Sequence, residues 1–220
     1  MVWILRTARP DLEMVVHALD SSSEVLSVAE NGIYGPQSSE LVHSSIFERL
    51  TETEMKEMFE WEGNQARVKS WLREGIAWEI GNACDPRLVA VLGAQDLVVA
   101  NNFLCHMEAP TAEGCLRNLA RLVRDGGYVF VSGVDLDVRT KVALDLGWEP
   151  VLELMAEIHD GDLSVRDDWP WAWWSLEPLD RRRADWQTRY ASAFRITRQK
   201  QGTSRACAQA TVQQLARRGS

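Results

Sequence analysis

The chain has 220 residues, of which 45% are hydrophobic and 25% charged, and its formal net charge is −8. These values are typical of a soluble globular protein with one core, and no apolar run approaches the roughly 20 residues that span a bilayer. An acidic body disfavours nucleic acid or a membrane as partner, and the first residues lack a signal-peptide pattern. We therefore expect a cytoplasmic protein that acts on a small molecule.

The first part of the chain alternates helix patterns with strand patterns. Apolar spacing, capping residues and breaks at glycine or proline predict the elements. In chain order they are a helix end at 3–9, a strand at 12–19, a helix at 21–29, a loop at 34–45, a helix at 47–58, a strand at 76–80 and a short helix at 86–92.

The stretch 95–137 is the most informative part of the sequence. An apolar run at 97–99 stops abruptly at Asn101 and Asn102, which is typical of a buried parallel strand with polar residues at its carboxyl end. Apolar residues then recur at helical spacing from 116 to 123, and a second apolar run follows at 128–134. Asp125-Gly126-Gly127 separates the two as a turn.

The remaining sequence predicts helices at 138–146 and 151–158, an acidic and tryptophan-rich loop at 160–174, and a last strand at 190–196. Regular alternation of helix and strand predicts parallel strands joined by right-handed crossovers, hence a three-layer α/β sheet. We predict that this domain covers residues 1–196. Residues 197–220 form an extension without acidic residues, which we expect to be an appended helix or a loose tail.

Polar residues end the predicted strands, and the strand ends of an open α/β sheet are where ligands bind. Asp20 ends the first strand, Asn82 follows the second, and Asn101 and Asn102 end the third. Asp20 has two interpretations of equal weight: it accepts hydrogen bonds from the hydroxyls of a ribose, or it caps the helix that follows.

Three further residues are candidates for chemistry. His106 lies just beyond a strand end, where it is either a general base or substrate contact or a satisfied half-buried imidazole. Glu177 and Asp162 are the acids of the tryptophan-rich segment that we expect to reach inward. No pattern of cysteine or histidine predicts a metal site.

Tryptophans are concentrated near the carboxyl end of the domain, with four of the ten falling at 169–174. They form either an aromatic cap over one end of the sheet or a stacking wall for a ligand. Under the second interpretation Trp171, Trp173 and Trp174 contact the substrate, on an ordered loop folded over the strand ends.

Three segments resemble the class I S-adenosylmethionine-dependent methyltransferases, and among them the CheR-type enzymes that esterify glutamates on chemotaxis receptors. The segments are HALDSSSEVLSVAENGIYG, DLVVANNFLCHM and NLARLVRDGGYVFVSG. The resemblance covers roughly residues 3–134 and implies a Rossmann-like sheet with S-adenosylmethionine as cofactor. It implies that Asp20 contacts the cofactor ribose and that Asn102 faces the cofactor, while Asn101 stands where arginine is usual.

The same resemblance implies a central first strand and a glycine-rich loop, which this sequence lacks before Asp20. We therefore expect a truncated sheet in which the strands at 12–19 and 95–99 each have an unpaired edge. Such edges favour pairing between chains, so we expect a homodimer.

Three functions remain open on the sequence alone. The first is a methyltransferase-like protein that binds S-adenosylmethionine through Asp20, Asn82 and Asn102, with methyl transfer impaired by the absent loop. The second is a hydrolase of glycosidase or esterase type on the same fold, with an acid pair and a tryptophan-lined pocket. The third is a non-catalytic dimeric binding module.

Overall fold

The computed structural model describes residues 1–35, 51–160 and 177–198. The chain divides into two compact units, Met1–Leu88 and Val89–Ser220. In the described residues, no helix is long and apolar enough to cross a membrane. The predicted tryptophan-rich loop, with Asp162, Trp171, Trp173 and Trp174, lies outside the described residues.

Unit 1 holds a parallel strand pair and a small antiparallel sheet. Its elements are α1 (Val2–Ala8), β1 (Val16–Asp20), α2 (Ser23–Asn31), β2 (Ile33–Tyr34), α3 (Glu52–Met58), β3 (Phe59–Glu62), β4 (Gln65–Val68), α4 (Ser70–Arg73) and β5 (Ile76–Ile80). Strands β1 and β5 run parallel with Asp20 opposite Ile80, so the two strands end together. The second sheet has the order β2-β4-β3.

Helix α2 spans Ser23–Asn31, so it begins and ends two residues later than the helix predicted at 21–29. Ser22 is the N-cap, because its hydroxyl accepts a hydrogen bond from the Val25 amide, and Glu24 lies in the first turn. Gly32 closes the helix in the left-handed conformation, with φ of 61°. Gly32 turns the chain from the end of α2 into β2, which begins at Ile33.

A hairpin formed by β3 and β4 was not predicted. The two strands pair antiparallel from Phe59 opposite Val68 to Glu62 opposite Gln65. Gly63 supplies the positive φ of 60° that the tight turn requires. Gly63-Asn64 between two alternating runs is the signal in the sequence that could have predicted it.

Unit 2 is built on one mixed sheet of the order β6-β7-β9-β8. Its elements are α5 (Leu88–Leu92, which begins at the last residue of unit 1), β6 (Gln95–Asn101), a 3₁₀ turn (Leu104–His106), α6 (Ala109–Leu122), β7 (Val123–Ser132), α7 (Leu136–Leu146), β8 (Glu149–Pro150), α8 (Met155–Asp160), α9 (Trp186–Tyr190) and β9 (Ala193–Arg195). Strands β6 and β7 are parallel, whereas β9 runs antiparallel to both β7 and β8. The expectation of parallel strands throughout is therefore wrong at the carboxyl end.

Several element bounds also differ from the prediction. The described part of the helix expected at 47–58 is α3, which begins after Thr51, and the helix expected at 151–158 begins at Met155. The strand expected at 190–196 is β9, of three residues, because α9 occupies the residues before it. Strand β7 begins at Val123, but its register with β6 shifts between Val123 and Tyr128 and Gly126 has a φ of 76°, so the predicted turn at Asp125-Gly126-Gly127 is a bulge within the strand.

The core of unit 2 lies between the sheet and helix α6. Leu116 of this helix and Val129 and Val131 of β7 are fully buried. On the antiparallel side Phe194 of β9 is also fully buried, and its ring lies 5.3 Å from that of Trp148. The antiparallel strands thus carry part of the core.

Replacing Phe194 with alanine should lower the free energy of unfolding by about 3–5 kcal/mol, because it removes a buried ring and leaves a cavity in a packed core. Urea unfolding followed by circular dichroism measures this change. Leu152→Ala is the matched control, since Leu152 is 42% exposed and its truncation should cost well under about 1 kcal/mol. Equal losses for the two variants would contradict the core assignment.

Candidate functional site

In unit 1 the polar residues lie at the common end of β1 and β5. The amide of Gly81 donates to the carbonyl of Asp20 at 2.9 Å, which ties the two strand ends together. A Cβ at Gly81 would lie 2.5 Å from Leu19 Cδ1, so a larger residue would fit only if the Leu19 side chain shifted. Asn82 follows directly and is exposed.

The half-buried carboxylate of Asp20 uses only one of its two oxygens within the described structure. Oδ1 accepts from the Ser22 amide at 2.8 Å, while Oδ2 has no hydrogen-bond partner among the described residues. The helix itself is capped by Ser22. Asp20 can therefore orient the start of α2 and still accept hydrogen bonds from a ligand, so its two predicted roles are compatible.

The side chain of Asn82 is held by its own loop. Its Oδ1 accepts from the Cys84 amide at 2.9 Å, which leaves the side-chain amide nitrogen to point a donor outward. Asp20 and Asn82 thus present an acceptor and a donor at adjacent strand ends.

In unit 2 a second polar cluster lies at the common end of β6 and β7. Asn101 is opposite Ser132 in the parallel register, and the Ser132 hydroxyl donates to Asn101 Oδ1. The Asn102 amide donates to the Ser132 carbonyl at 3.1 Å. Asn102 has a positive φ of 56°, a conformation that asparagine tolerates better than most residues.

Gly133 makes this conformation possible. A Cβ at Gly133 would lie 2.7 Å from Asn102 Cα, which no ordinary contact allows. The side-chain amide of Asn102 is exposed and has no hydrogen-bond partner within residues 1–35, 51–160 and 177–198. The strand end therefore holds Asn102 by its backbone and leaves its amide available.

His106 lies at the end of the short 3₁₀ turn that follows Asn102. Leu104 in the same turn is buried and anchors it, and the His106 amide donates to the Phe103 carbonyl. The imidazole is exposed, so the half-buried interpretation is wrong. The ring is accessible to a substrate near the end of β6.

Glu177 is not part of either cluster. Its carboxylate forms a two-point ion pair with Arg189 (Nε to Oε1 at 2.6 Å, Nη2 to Oε2 at 3.2 Å) and accepts from the Tyr190 hydroxyl at 2.8 Å. Arg189 is buried and also pairs with Asp137 at 2.6 Å. The hydrogen bond from Arg189 holds the pKa of Glu177 below its usual range. A carboxylate in these contacts stays ionised and anchors residue 177 to α9. The catalytic role of Glu177 stays a prediction.

Two arginines of unit 2 were missed by the sequence analysis. Arg189 and Arg139 are both nearly fully buried, and Arg139 donates to the carbonyls of Val131 and Arg189. Arg139 lies among the inward positions of α7, between Leu136 and Val142. A charged residue within the apolar stripe of a predicted helix is the signal that could have identified it.

An open groove of about 760 Å³ lies beside the Glu177 ion pair. It is lined by residues 177–183 and Tyr190. Arg182 on its wall is paired with Asp180, and the guanidinium of Arg181 lies 5.7 Å from the centre of the Trp186 ring. The tryptophans at 169–174 that were predicted to contact substrate lie outside the described residues.

Replacing Glu177 with glutamine should lower the melting temperature at neutral pH and weaken the loss of stability in acid. The pKa of Glu177 is lowered in the folded protein. Its contribution to the free energy of unfolding is therefore fully present above the unfolded pKa of about 4.3 and is lost as pH falls through the lower folded pKa. Melting curves from pH 7 to 3 measure this. Glu153→Gln is the control, and a wild-type pH profile in the Glu177 variant would contradict the anchoring role.

The comparisons agree with the resemblance. A family model described as the CheR methyltransferase, SAM-binding domain, matches residues 2–138, well over half of the chain. No curated protein matches the chain. The match includes Asp20, Asn82, Asn101, Asn102 and His106, and ends before Glu177 and the groove. The chain belongs to the CheR methyltransferase family: it is an S-adenosylmethionine-dependent methyltransferase-like protein with a Rossmann-like α/β fold.

Proposed function

We propose that the chain holds S-adenosylmethionine with Asp20 as the acceptor for the ribose hydroxyls, and that it methylates a side-chain carboxylate of a substrate. The cofactor follows from the family, and the residue roles and the substrate class are the proposal. The resemblance to enzymes that esterify glutamates supports the choice of a carboxylate. The observation that carries the proposed ribose contact is the second oxygen of Asp20, which has no protein partner in the described residues.

The residues at the end of β1 fit a ribose. A ribose presents two neighbouring hydroxyls, and a carboxylate at a strand end accepts both when one oxygen is not consumed by the protein. Asp20 meets this condition, because its hydrogen bond to the Ser22 amide fixes the side chain through Oδ1 alone. The neighbouring Asn82 adds an outward donor for an ether or hydroxyl oxygen.

The strand end in unit 2 fits a polar, planar group. The amide of Asn102 offers both a donor and an acceptor and is exposed. Gly133 and the left-handed backbone of Asn102 leave little side-chain bulk at this point, so a ligand can approach the main chain closely. Asn101 is held by the Ser132 hydroxyl and supports this conformation.

S-adenosylmethionine supplies an electrophilic methyl group on a sulfonium. A carboxylate acceptor is already ionised at neutral pH, so it needs orientation more than deprotonation. His106 is accessible beside the end of β6 and can donate a hydrogen bond to such a carboxylate and hold it in place. We therefore propose His106 as a substrate contact.

The hydrolase alternative lacks support in the described residues. It needs one acid of raised pKa as proton donor. Glu177 has the opposite property, since Arg189 lowers its pKa. The second predicted acid, Asp162, lies outside the described residues.

Replacing Asp20 with asparagine should raise the dissociation constant for S-adenosylhomocysteine at least about tenfold, since a hydrogen bond to a charged group contributes roughly 1.5–3 kcal/mol. Asparagine keeps an oxygen for the Ser22 amide, so the fold should survive. Isothermal calorimetry measures the binding. The control is Glu30→Gln, which removes one charge from exposed α2. An unchanged constant in the Asp20 variant would exclude this ribose contact.

His106→Ala should leave the affinity for S-adenosylhomocysteine within about twofold and lower methyl transfer by one or two orders of magnitude. The reason is that His106 contacts the acceptor and not the cofactor. The assay uses tritiated S-adenosylmethionine with glutamate-containing peptides, and base-labile label identifies methyl esters. Glu108→Ala, two residues further on, is the control. A fall in cofactor affinity instead would assign His106 to the cofactor.

A further inference from the structure

The outward side of α8 exposes large aliphatic side chains. Leu154, directly before the helix, is 66% exposed, and Ile158 is 46% exposed. The Ile158 amide donates to the Leu154 carbonyl at 2.8 Å, so the two residues lie one turn apart on the same side. Met155 and His159 are buried and form the inward side. Leu154 and Ile158 together are called the apolar row of α8.

Leu154 has a backbone conformation that leucine rarely adopts. Its φ is 56°, and apart from Asn102 it is the one residue other than glycine with a positive φ in the described parts of the chain. A bulky residue in this region is strained, and strain of this kind is found at functional contacts. Burial of the side chain does not offset it here, because Leu154 faces solvent. The exposed leucine is therefore a candidate anchor for a binding partner.

An acidic row runs beside the apolar row. Glu153 and Glu157 each lie one position before a residue of the apolar row, and both are exposed. Neither has an ion-pair partner among the residues that the structure describes. No lysine or arginine occurs from position 148 to position 160. This side of α8 therefore fits a segment that combines aliphatic anchors with positive charge.

The sequence of residues 199–220 has these properties. It contains four basic residues and no acidic one. Its aliphatic residues recur at positions 208, 212, 215 and 216, a spacing that predicts a helix with one apolar face. The basic residues are Lys200, Arg205, Arg217 and Arg218.

The sequence of residues 161–176 has the opposite charge. It follows α8 directly and is rich in tryptophan, but it contains three aspartates and one arginine. Like charges that are brought together oppose binding. The acidic row therefore favours residues 199–220 over residues 161–176 as its partner.

The chain enters residues 199–220 close to α8. The Thr197 hydroxyl donates to Glu149 Oε1 at 2.5 Å, and the Arg198 amide donates to Asp125 Oδ1 at 2.8 Å, so this point is fixed. Glu149 precedes Leu154 by five residues, which span at most about 18 Å. Residues 199–207 can span up to about 30 Å when extended. The predicted apolar face at 208–216 can therefore reach the apolar row.

We propose that residues 199–220 bind the outward side of α8 in the same chain. Their aliphatic face contacts Leu154 and Ile158, and their arginines lie beside Glu153 and Glu157. A short connection within one chain gives an effective concentration on the order of millimolar, so a small contact area is sufficient for binding.

Hydrogen exchange of the full chain, followed by mass spectrometry, tests the apolar part of this contact. Leu154→Asn should speed exchange of the amides at 208–216 at least about tenfold, because it removes the anchor. Asparagine tolerates a positive φ, so the fold is retained. Leu144→Asn is the control, since Leu144 is 57% exposed on α7, and it should leave this exchange unchanged. Equal exchange at 208–216 in the wild type and the Leu154 variant would overturn the proposal.

A charge reversal tests the electrostatic part and the identity of the partner. Glu157→Arg should also speed exchange at 208–216, and adding Arg217→Glu with Arg218→Glu should restore the slow rate. The wild-type rate should not depend on protein concentration. A rate that falls with concentration would assign the partner segment to a second copy. Slow exchange at 152–158 that survives Arg217→Glu with Arg218→Glu would assign this surface to another segment, and either result would overturn the proposal.

Discussion

Parallel strand pairing is the constraint on which the candidate sites depend. Parallel strands that are in register end on the same edge of a sheet, so the residues that follow them are brought together whatever their distance in sequence. In unit 1 this places Asn82 beside Asp20, and in unit 2 it places Ser132 beside Asn101. Each cluster is then closed by a hydrogen bond between the two strand ends.

A glycine follows the strand end in both units, and a Cβ at either glycine would crowd a neighbouring residue. At Gly81 a Cβ would collide with the Leu19 side chain, and at Gly133 it would collide with the backbone of Asn102. Neither glycine is needed for the strand itself. Both allow a chain segment to pass within van der Waals contact of its neighbour, which keeps the polar residues at the surface of the strand end and accessible to a ligand.

Buried charge organises the part of unit 2 that lies beyond the family match. Burial, and to a lesser degree the charge of Arg189, lowers the pKa of Arg139 to about 10, so Arg139 remains charged at neutral pH. It is held by carbonyls, with hydrogen bonds to the end of β7 and to α9. Arg189 then carries the ion pair with Glu177. The two arginines therefore hold Glu177 in position.

The sequence predicts an element correctly where the residues that determine it lie close together in the chain. The apolar run and polar end of β6, and the serine cap and glycine stop of α2, lie within a few residues of the features that they predict. The sequence does not predict an interaction whose partner residue is distant in the chain. The ion pair of Glu177 with Arg189, twelve residues away, was not predicted, because nothing in the segment around Glu177 reveals it. The hairpin at 59–68 was missed although its signal is local, since Phe-Glu-Trp-Glu alternates directly before the turn at Gly63-Asn64.

Strand β6 shows the same limit of prediction from local sequence. Its apolar sequence predicted a strand buried on both sides, yet Leu97 and Val99 are exposed in the single chain and the outer edge has no partner among the described strands. An apolar run predicts that a strand forms, because such side chains favour the pleated, packed surface of a sheet. Which face of the strand is covered depends on elements that are distant in sequence, and this part of the prediction failed at Leu97 and Val99.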